Sequence, residues 1–493
     1  MGHPILYEIN ARCWLQALAE REGRGVTLAD VPEAEFARWQ HLGFTHVWLM
    51  GVWTTGPLSR AQALNDPHLR KVFNEVLPGW REEDVAGSPY AISNYQVPPA
   101  LGGEAGLKAF RAQLNARGLK LLLDFVPNHL GLDHPWAGQR PELFVQSPIE
   151  RPGTFLQKSA SGPRWLAHGK DPYFAPWTDT IQLDYRRPET RAALIDLLQS
   201  IARRCDGVRC DMAMLMLNEV FAKTWDLFPT SAVPPSSEFW ADAISSVKES
   251  NPGFLFLAEA YWGMQPRLQT LGFDFTYDKH ITDCLIAHRY GELQQHLLEA
   301  APEYLARSAH FLENHDELRI ASVLSQDEHR AAALMMLGLP GMRLLYDGEL
   351  TGARLRTPVQ LTRCPKEPVD KMVLELYDRL LAVIKGSAVG NGEGKVLRPE
   401  PAWEGNPTAQ NFVVTQWARS TEQFDLMVVN LASHRGQCRV QLSVPAPAEH
   451  DWEMRDLLSN ELFQRSGSAL SSHGLNLDLP ENGAQLFRFT IKH

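Results

Sequence analysis

The chain has 493 residues, of which 44% are hydrophobic, and a formal net charge of −10. This size supports a large core and at least one further domain. No stretch is rich in Lys and Arg, which argues against a nucleic-acid partner. The longest apolar run, residues 331–342, is too short to span a bilayer, and the first residues lack the features of a secretory signal. We therefore expect a cytoplasmic protein with neither nucleic-acid nor membrane partners.

Short apolar or β-branched runs alternate with helical patterns along the first three-quarters of the chain. Eight of these runs are expected to form strands: 6–14, 46–53, 120–126, 207–212, 254–261, 273–277, 309–313 and 343–346. Helical periodicity lies between them, most clearly over 104–117, 189–205, 236–250 and 327–337. This alternation predicts an α/β fold, a parallel (β/α)8 barrel, formed by residues 1–129 and 188–385.

Two segments interrupt the alternation. Residues 130–187 are rich in Pro, Gly and Trp and are too long for an ordinary loop, so they predict a small excursion domain after the third strand. The run GSAVGNGEG, residues 386–394, is typical of a linker. Residues 395–493 then contain alternating patterns at 412–418, 424–431, 437–444 and 485–491, which predict a C-terminal antiparallel β-sandwich.

The six cysteines form no metal-type C-x-x-C motif. All are widely spaced except Cys205 and Cys210, which flank a predicted strand. We expect buried free thiols rather than disulfides.

Four short runs carry acidic, basic or imidazole groups where an apolar strand ends: LLLDFVPNH (121–129), DGVRCDMAM (206–214), FLFLAEAYW (254–262) and FLENHDELR (311–319). A buried strand that ends in an acid is unfavourable unless the acid has a partner or a function. In a parallel barrel, the carboxyl ends of the strands meet at one rim. We therefore predict one shared site that contains Asp211, Glu259 and Asp316.

The residue types around two of these acids indicate a division of labour. Arg209 is two residues before Asp211 on a strand, so both side chains point the same way, and the guanidinium should favour an ionised nucleophile. A structural ion pair is the alternative for this pair. Glu259 lies among apolar and aromatic residues, which should raise its pKa and suit a proton donor. An ionised and a protonated carboxyl at one rim are what retaining glycoside cleavage requires.

The remaining candidates support the same chemistry. Asp316 could favour positive charge that develops at the anomeric carbon. A neutral His129 imidazole could donate a hydrogen bond to a sugar hydroxyl group, and a metal-bound role of His129 and His315 is disfavoured because zinc-type spacing is missing.

These four runs resemble the conserved regions of the α-amylase superfamily, glycoside hydrolase family 13, in the order of the family. GSPYAISNY (87–95) and GMRLLYDGE (341–349) also resemble family segments. The resemblance implies that Asp211 is the nucleophile, Glu259 the general acid/base and Asp316 the transition-state stabiliser. It further implies a set of substrate-binding and supporting residues: Tyr90, Asp124, His129, Arg209 and His315.

One departure from the family pattern concerns calcium. Many α-amylases carry Lys-His three and four residues after the nucleophile, where this chain has Met214 and Leu215. Asn128 matches a calcium ligand of the first region, but its partners are not evident in the sequence. We therefore expect no required cofactor, and the resemblance leaves Asn128 as a candidate ligand of a structural calcium ion.

The sequence thus predicts a retaining enzyme that hydrolyses α-1,4-linked glucans or maltooligosaccharides. The alternative is a 4-α-glucanotransferase or another transglycosylase of glycogen or maltooligosaccharide metabolism, because the same acids serve both outcomes. An inactive barrel that only binds a partner is disfavoured, since the acids and Arg209 are all present. A monomer and a homo-oligomer are both compatible with the sequence.

Overall fold

The computed structural model describes residues 2–158, 162–230, 232–233, 235–420, 422–443 and 447–492. Eight parallel strands in chain order close into a barrel, and the first strand pairs with the eighth. The strands are Ile5–Asn10, His46–Met50, Lys120–Phe125, Gly207–Cys210, Leu255–Ala258, Phe275–Tyr277, Ser308–His310 and Met342–Tyr346. The predicted α/β fold and (β/α)8 barrel are therefore confirmed.

Helices surround the barrel, and the four clearest predictions match Gly103–Asn115, Pro188–Ala202, Phe239–Lys248 and Gln326–Gly338. The other α-helices are Ala11–Glu22, Glu33–Leu42, Pro57–Asn65, Pro67–Val76, Trp136–Gln139, Asn218–Thr224, Gln265–Thr270, Lys279–Ile286, Tyr290–Glu299, Pro302–Ala306, Ile320–Val323, Lys371–Gly386 and Gly467–His473. Short 3₁₀ helices are Glu82–Asp84, Pro99–Leu101, Pro141–Leu143, Ala213–Met216, Glu349–Thr351, Thr408–Asn411 and Pro447–Glu449. Among the described residues, no helix combines the length and apolar character needed to cross a membrane.

The first strand is shorter than the sequence predicts. It ends at Asn10 rather than at residue 14, because the Asn10 side chain accepts a hydrogen bond from the Cys13 amide and caps the helix Ala11–Glu22. A side-chain oxygen at this position satisfies an amide that the helix itself cannot pair.

The barrel interior is filled by its own apolar cluster, separate from the layer between strands and helices. Its fully buried members include Leu6, Trp48, Leu122, Leu257, Phe275, Ala309 and Leu344. Successive side chains alternate between the interior and the helix layer. Polar side chains replace the apolar ones towards the carboxyl ends of the strands, which places a polar site at that rim.

The segment after the third strand contains two small antiparallel sheets. His129–Gly131 pairs with Thr180–Gln182, and Arg164–Ala167 lies between Gln146–Ser147 and Thr154–Gln157. Both sheets begin directly beyond the rim, as expected of an excursion from the barrel. The limits 130–187 stay a prediction.

The C-terminal part is an antiparallel β structure of two sheets, as predicted. One sheet has the order Glu393–Leu397, Phe412–Ala418, Gln423–Asn430, Ala484–Ile491, Trp452–Asp456 and Leu462–Arg465. The other has the order Pro399–Pro401, Gly436–Val440 and Leu475–Leu479. Residues of both sheets share one apolar core, whose largest members include Phe412, Phe424, Trp452 and Phe489. A further two-stranded sheet, Thr54–Thr55 with Ile92–Asn94, lies near the second barrel strand.

The run 386–394, which composition predicts to be a linker, is packed in the structure. Ser387, Ala388 and Val389 are buried, and the strand Glu393–Leu397 begins inside the run. The Asp425 carboxylate accepts a hydrogen bond from the Ala388 amide at 2.5 Å and is held by two Arg488 nitrogens at 2.9 and 3.0 Å. This carboxylate therefore fastens the barrel's last helix to the C-terminal sheet.

We expect Asp425→Ala to lower the free energy of unfolding by roughly 2–3 kcal/mol, because it leaves a partly buried guanidinium and a buried amide without their partner. Urea unfolding followed by circular dichroism measures the change. Asp478→Ala is the matched control, since Asp478 makes the same two-pronged contact with Arg435 on the surface. Equal effects of the two variants would contradict the assignment.

Candidate active site

The pairing register of the parallel strands brings the predicted residues together. Cys210 pairs with Ala258, so the residues that follow them, Asp211 and Glu259, lie at the same level on neighbouring strands. In the strand on the other side, Asp124 is the register partner of Arg209. One segment of the rim therefore carries three carboxyl groups and one guanidinium.

The buried Arg209 guanidinium connects these acids. Its Nη1 donates to Asp211 Oδ1 at 2.8 Å, and its Nη2 lies 2.7 Å from Glu259 Oε2. Asp124 Oδ1 is 3.9 Å from Nη1. Three aromatic rings surround the same guanidinium, with centroids 5.2, 5.4 and 5.8 Å from its carbon: Trp48, Tyr90 and Tyr277. Side chains of the protein thus hold the Arg209 cation in position and shield it from solvent.

Burial raises the pKa values of the three carboxyl groups around Arg209. The pKa of Glu259 rises to about 7 and that of Asp124 to about 7, although Arg209 opposes both shifts. The raised pKa of Glu259 agrees with the sequence-based expectation. The pKa of Asp211 is also raised, because burial outweighs the effect of Arg209. The expectation that Arg209 alone would favour ionised Asp211 was incomplete, since it left out the loss of solvent.

His315 links the other side of the rim. Its Nε2 is 3.0 Å from Asp316 Oδ2 and 2.6 Å from the Tyr90 hydroxyl, and its Nδ1 is 2.5 Å from Glu8 Oε1. Burial favours the neutral imidazole, but Asp316 and Glu8 together raise the pKa of His315 well above its usual value. Burial likewise opposes ionisation of Asp316, yet His315 lowers the pKa of that carboxyl overall. This side of the site therefore holds an imidazolium between two carboxylates.

Tyr90 and His129 occupy the wall next to this group. The Tyr90 ring stacks on His315, with centroids 5.4 Å apart and an angle of 22°. His129 lies on the first strand of the excursion, against the ring of Trp177 at 5.1 Å. Burial lowers the pKa of His129 to about 4, and the ring forms a hydrogen bond with the Tyr90 backbone. His129 is therefore a neutral imidazole, as expected, and belongs to the same wall.

The structure thus brings together all eight residues that the sequence singled out for catalysis and substrate binding. It adds three that sequence reasoning missed. Glu8 contacts His315, Trp48 Nε1 donates to Asp124 Oδ1 at 3.2 Å, and the Tyr261 hydroxyl donates to Glu259 Oε1 at 2.8 Å. Glu8 carries the signal that identified the other acids, a carboxylate within an apolar strand, here ILYEIN.

The surroundings of Asn128 do not fit a calcium ion. Three oxygens, the backbone and side-chain oxygens of Asn128 and the Leu183 carbonyl, converge on Gln182 Nε2 at 2.9, 3.0 and 3.0 Å. A cation would need these oxygens, and the Gln182 amide already donates to them.

Comparisons with known proteins identify the family of the chain. Residues 39–367 match the family model described as the α-amylase catalytic domain. The α-amylase MalA of Haloarcula japonica is 27% identical over 284 residues, which are 56% of this chain and 38% of MalA. An intracellular maltogenic amylase of Bacillus subtilis is 24% identical over 317 residues, which are 60% of this chain and 49% of that enzyme. This chain therefore spans half or less of the length of these relatives.

A solved structure shows the same fold over the whole chain. The maltogenic α-amylase AmyB of Thermotoga neapolitana superposes with a TM-score of 0.69 and 18% identity, covering 99% of each chain. The family match covers more than half of the sequence and includes Asp211, Glu259 and Asp316. The chain belongs to the α-amylase family of glycoside hydrolases.

Proposed function

We propose that this protein hydrolyses α-1,4-glucosidic bonds in α-glucans or maltooligosaccharides with retention of configuration. The observation that carries the proposal is that a single guanidinium, that of Arg209, contacts both Asp211 and Glu259, which follow adjacent strands. Two acids with separate roles beside one bond are the requirement of this chemistry. The relatives named α-amylase and maltogenic amylase support the class of substrate.

The first half of the reaction forms a covalent intermediate. The Asp211 carboxylate attacks the anomeric carbon and breaks its bond to the leaving oxygen, while Glu259 gives that oxygen its proton. A pKa of about 7 keeps a large fraction of Glu259 protonated near neutral pH. In the second half, Glu259 takes a proton from water, and the resulting hydroxide displaces Asp211 from the sugar.

The remaining charged groups act on the transition state. Asp316, with its lowered pKa, is the ionised carboxylate that can favour positive charge on the sugar ring. His315 holds Asp316 Oδ2 and the Tyr90 hydroxyl at fixed positions, and Glu8 holds His315 in turn. We assign Glu8 as a positioning residue, because it acts through His315.

Two further expectations enter the proposal. The reaction uses only groups of the protein and water, so it requires no cofactor. A cytoplasmic location is supported by the relative that is named intracellular.

A time course with maltoheptaose tests the reaction class. We expect only shorter products with a steady rise in reducing ends, and Asp211→Asn should slow this by about 10³-fold or more, because the nucleophile is lost. Asp226→Asn, at an exposed position, should behave as the unaltered protein. Products longer than seven units at a constant number of reducing ends would instead establish a transferase.

The pH dependence tests the role of Glu259. Activity should fall as pH rises through about 7, because Glu259 then loses the proton that it donates. The Tyr261 hydroxyl stabilises the ionised carboxylate by hydrogen bonding, so Tyr261→Phe should raise the pKa of Glu259. The alkaline limb of kcat/KM should move up by about one pH unit. A limb that stays in place or moves down would contradict this role.

The role of Glu8 is tested with Glu8→Gln, which keeps the size of the side chain and an oxygen for the hydrogen bond. Loss of the negative charge should lower the pKa of His315 by about one unit or more, measured from its ¹⁵N chemical shifts. We expect kcat to fall with little change in KM. Glu303→Gln, on the surface, is the control. An unchanged pKa of His315 would show that Glu8 is only structural.

A further inference from the structure

The six cysteines are free in the described part of the chain, five of them buried and Cys364 partly exposed. Cys284 differs from the others in its surroundings. It follows His280 by one turn on the helix Lys279–Ile286, so both side chains lie on one face. The next helix, Tyr290–Glu299, brings Glu292 to the same place. A nitrogen, a sulfur and a carboxylate oxygen thus converge from two helices.

Two of the distances among these atoms match those between neighbouring ligands of a metal ion. His280 Nε2 is 3.5 Å from Cys284 Sγ and 3.6 Å from Glu292 Oε1, and all three ligand atoms lie within 4.8 Å of one another. In a tetrahedral zinc site, with bonds of about 2.3 Å to sulfur and about 2.0 Å to nitrogen and oxygen, neighbouring ligand atoms are about 3.3–3.6 Å apart. One ion can therefore contact all three atoms with only small side-chain adjustments.

The three groups also contact one another without an ion, because the Cys284 side chain forms hydrogen bonds with His280 Nε2, at 3.5 Å, and with Glu292. A separation of 3.6 Å between His280 and Glu292 is too long for a strong hydrogen bond. Glu292 already receives a hydrogen bond on its other oxygen, Oε2, from Arg289 Nη1 at 2.8 Å. An ion would replace the Cys284 thiol proton as the partner of the Glu292 carboxylate, and Arg289 orients that carboxylate as outer groups of metal sites do.

Burial and exposure also fit such a site. Cys284 is buried, whereas the side chains of His280 and Glu292 are 40% and 44% exposed. An ion can reach the three atoms from solvent, and a water molecule can complete the coordination. The His280 ring packs edge-on against His296, with centroids 4.8 Å apart, and His296 is in turn bonded to Asp278 at 3.1 Å. These contacts limit the rotation of the His280 ring.

We propose that His280, Cys284 and Glu292 form a binding site for a zinc-type divalent transition-metal ion, with water as the fourth ligand. The ion binds sulfur as thiolate, so coordination releases the Cys284 thiol proton to solvent, and the three side chains replace water ligands of the hydrated ion, which also return to solvent. Burial raises the pKa of Cys284 to about 11, so the thiol carries this proton before the ion binds.

The position of the site suggests what the ion does. The helix Lys279–Ile286 starts at the rim of the barrel, where Lys279 Nζ is 3.1 Å from Glu317 Oε2, next to Asp316. An ion shared by the two helices would fix this helix against its neighbour. Binding to the folded chain alone also raises its stability.

Titration of the full chain with Co²⁺, after dialysis against a chelator, tests the proposal. We expect one equivalent to produce a thiolate-to-cobalt charge-transfer band, and excess Zn²⁺ to remove it. Cys284→Ser should abolish the band. Cys364→Ser, which alters the partly exposed cysteine among the described residues, should retain it, and so should Asp211→Asn, which alters the catalytic rim.

A second variant keeps the test independent of the folding of Cys284→Ser. His280→Gln changes a partly exposed side chain and should weaken Zn²⁺ binding at least tenfold, measured by competition with a chromophoric chelator, while circular dichroism stays unchanged. The proposal is overturned if the unaltered protein gives no charge-transfer band. It is also overturned if the band persists in Cys284→Ser, or if His280→Gln binds Zn²⁺ as tightly as the unaltered chain.

Discussion

The Arg209 guanidinium is a permanent cation with no access to water, and the catalytic rim is organised around that fact. A positive charge is buried only where anions and hydrogen-bond acceptors lie close to it, because its removal from solvent is otherwise too unfavourable. Three carboxyl groups from three consecutive strands supply these partners, and three aromatic faces close the remaining sides. The acids in turn could not share so small a volume without the cation. The arrangement of charges in the site and the packing of the barrel therefore depend on each other.

Differences in solvent exposure and in neighbouring charges give similar side chains different protonation states. Glu259 is buried against Arg209 and Tyr261, and its pKa is raised. Asp316 is half exposed and contacts an imidazolium, and its pKa is lowered. A proton donor and an ionised stabiliser thus arise from two carboxylic acids that differ in solvent exposure and in their neighbours. Glu8 extends this arrangement to the first strand, since its charge helps to keep His315 protonated.

Much of this organisation could be predicted because it is local in sequence. Four of the apolar strand runs end in polar groups, and the rule that parallel strands share a rim places Asp211, Glu259 and Asp316 together. The role of Glu8 was not predicted because its partner, His315, is 307 residues away in the sequence and nothing near Glu8 indicates the contact. The raised pKa of Asp211 was not predicted because the burial that causes it depends on the whole barrel. Short C-terminal strands such as Pro399–Pro401 have too few residues to show alternation, and the small residues of 387–389 suggested a linker because composition does not reveal burial.

The Gln182 amide has a consequence for how the excursion is attached to the barrel. Its nitrogen gathers the oxygens of Asn128 and Leu183 at the base of the strand Thr180–Gln182. A bound ion at such a junction would have an occupancy that follows its free concentration by mass action. The Gln182 amide is covalently part of the chain, so its effective concentration at the junction is set by that connection and is the same in every environment. The junction can therefore form as soon as this part of the chain has folded. Dilution cannot remove the Gln182 amide that stabilises it.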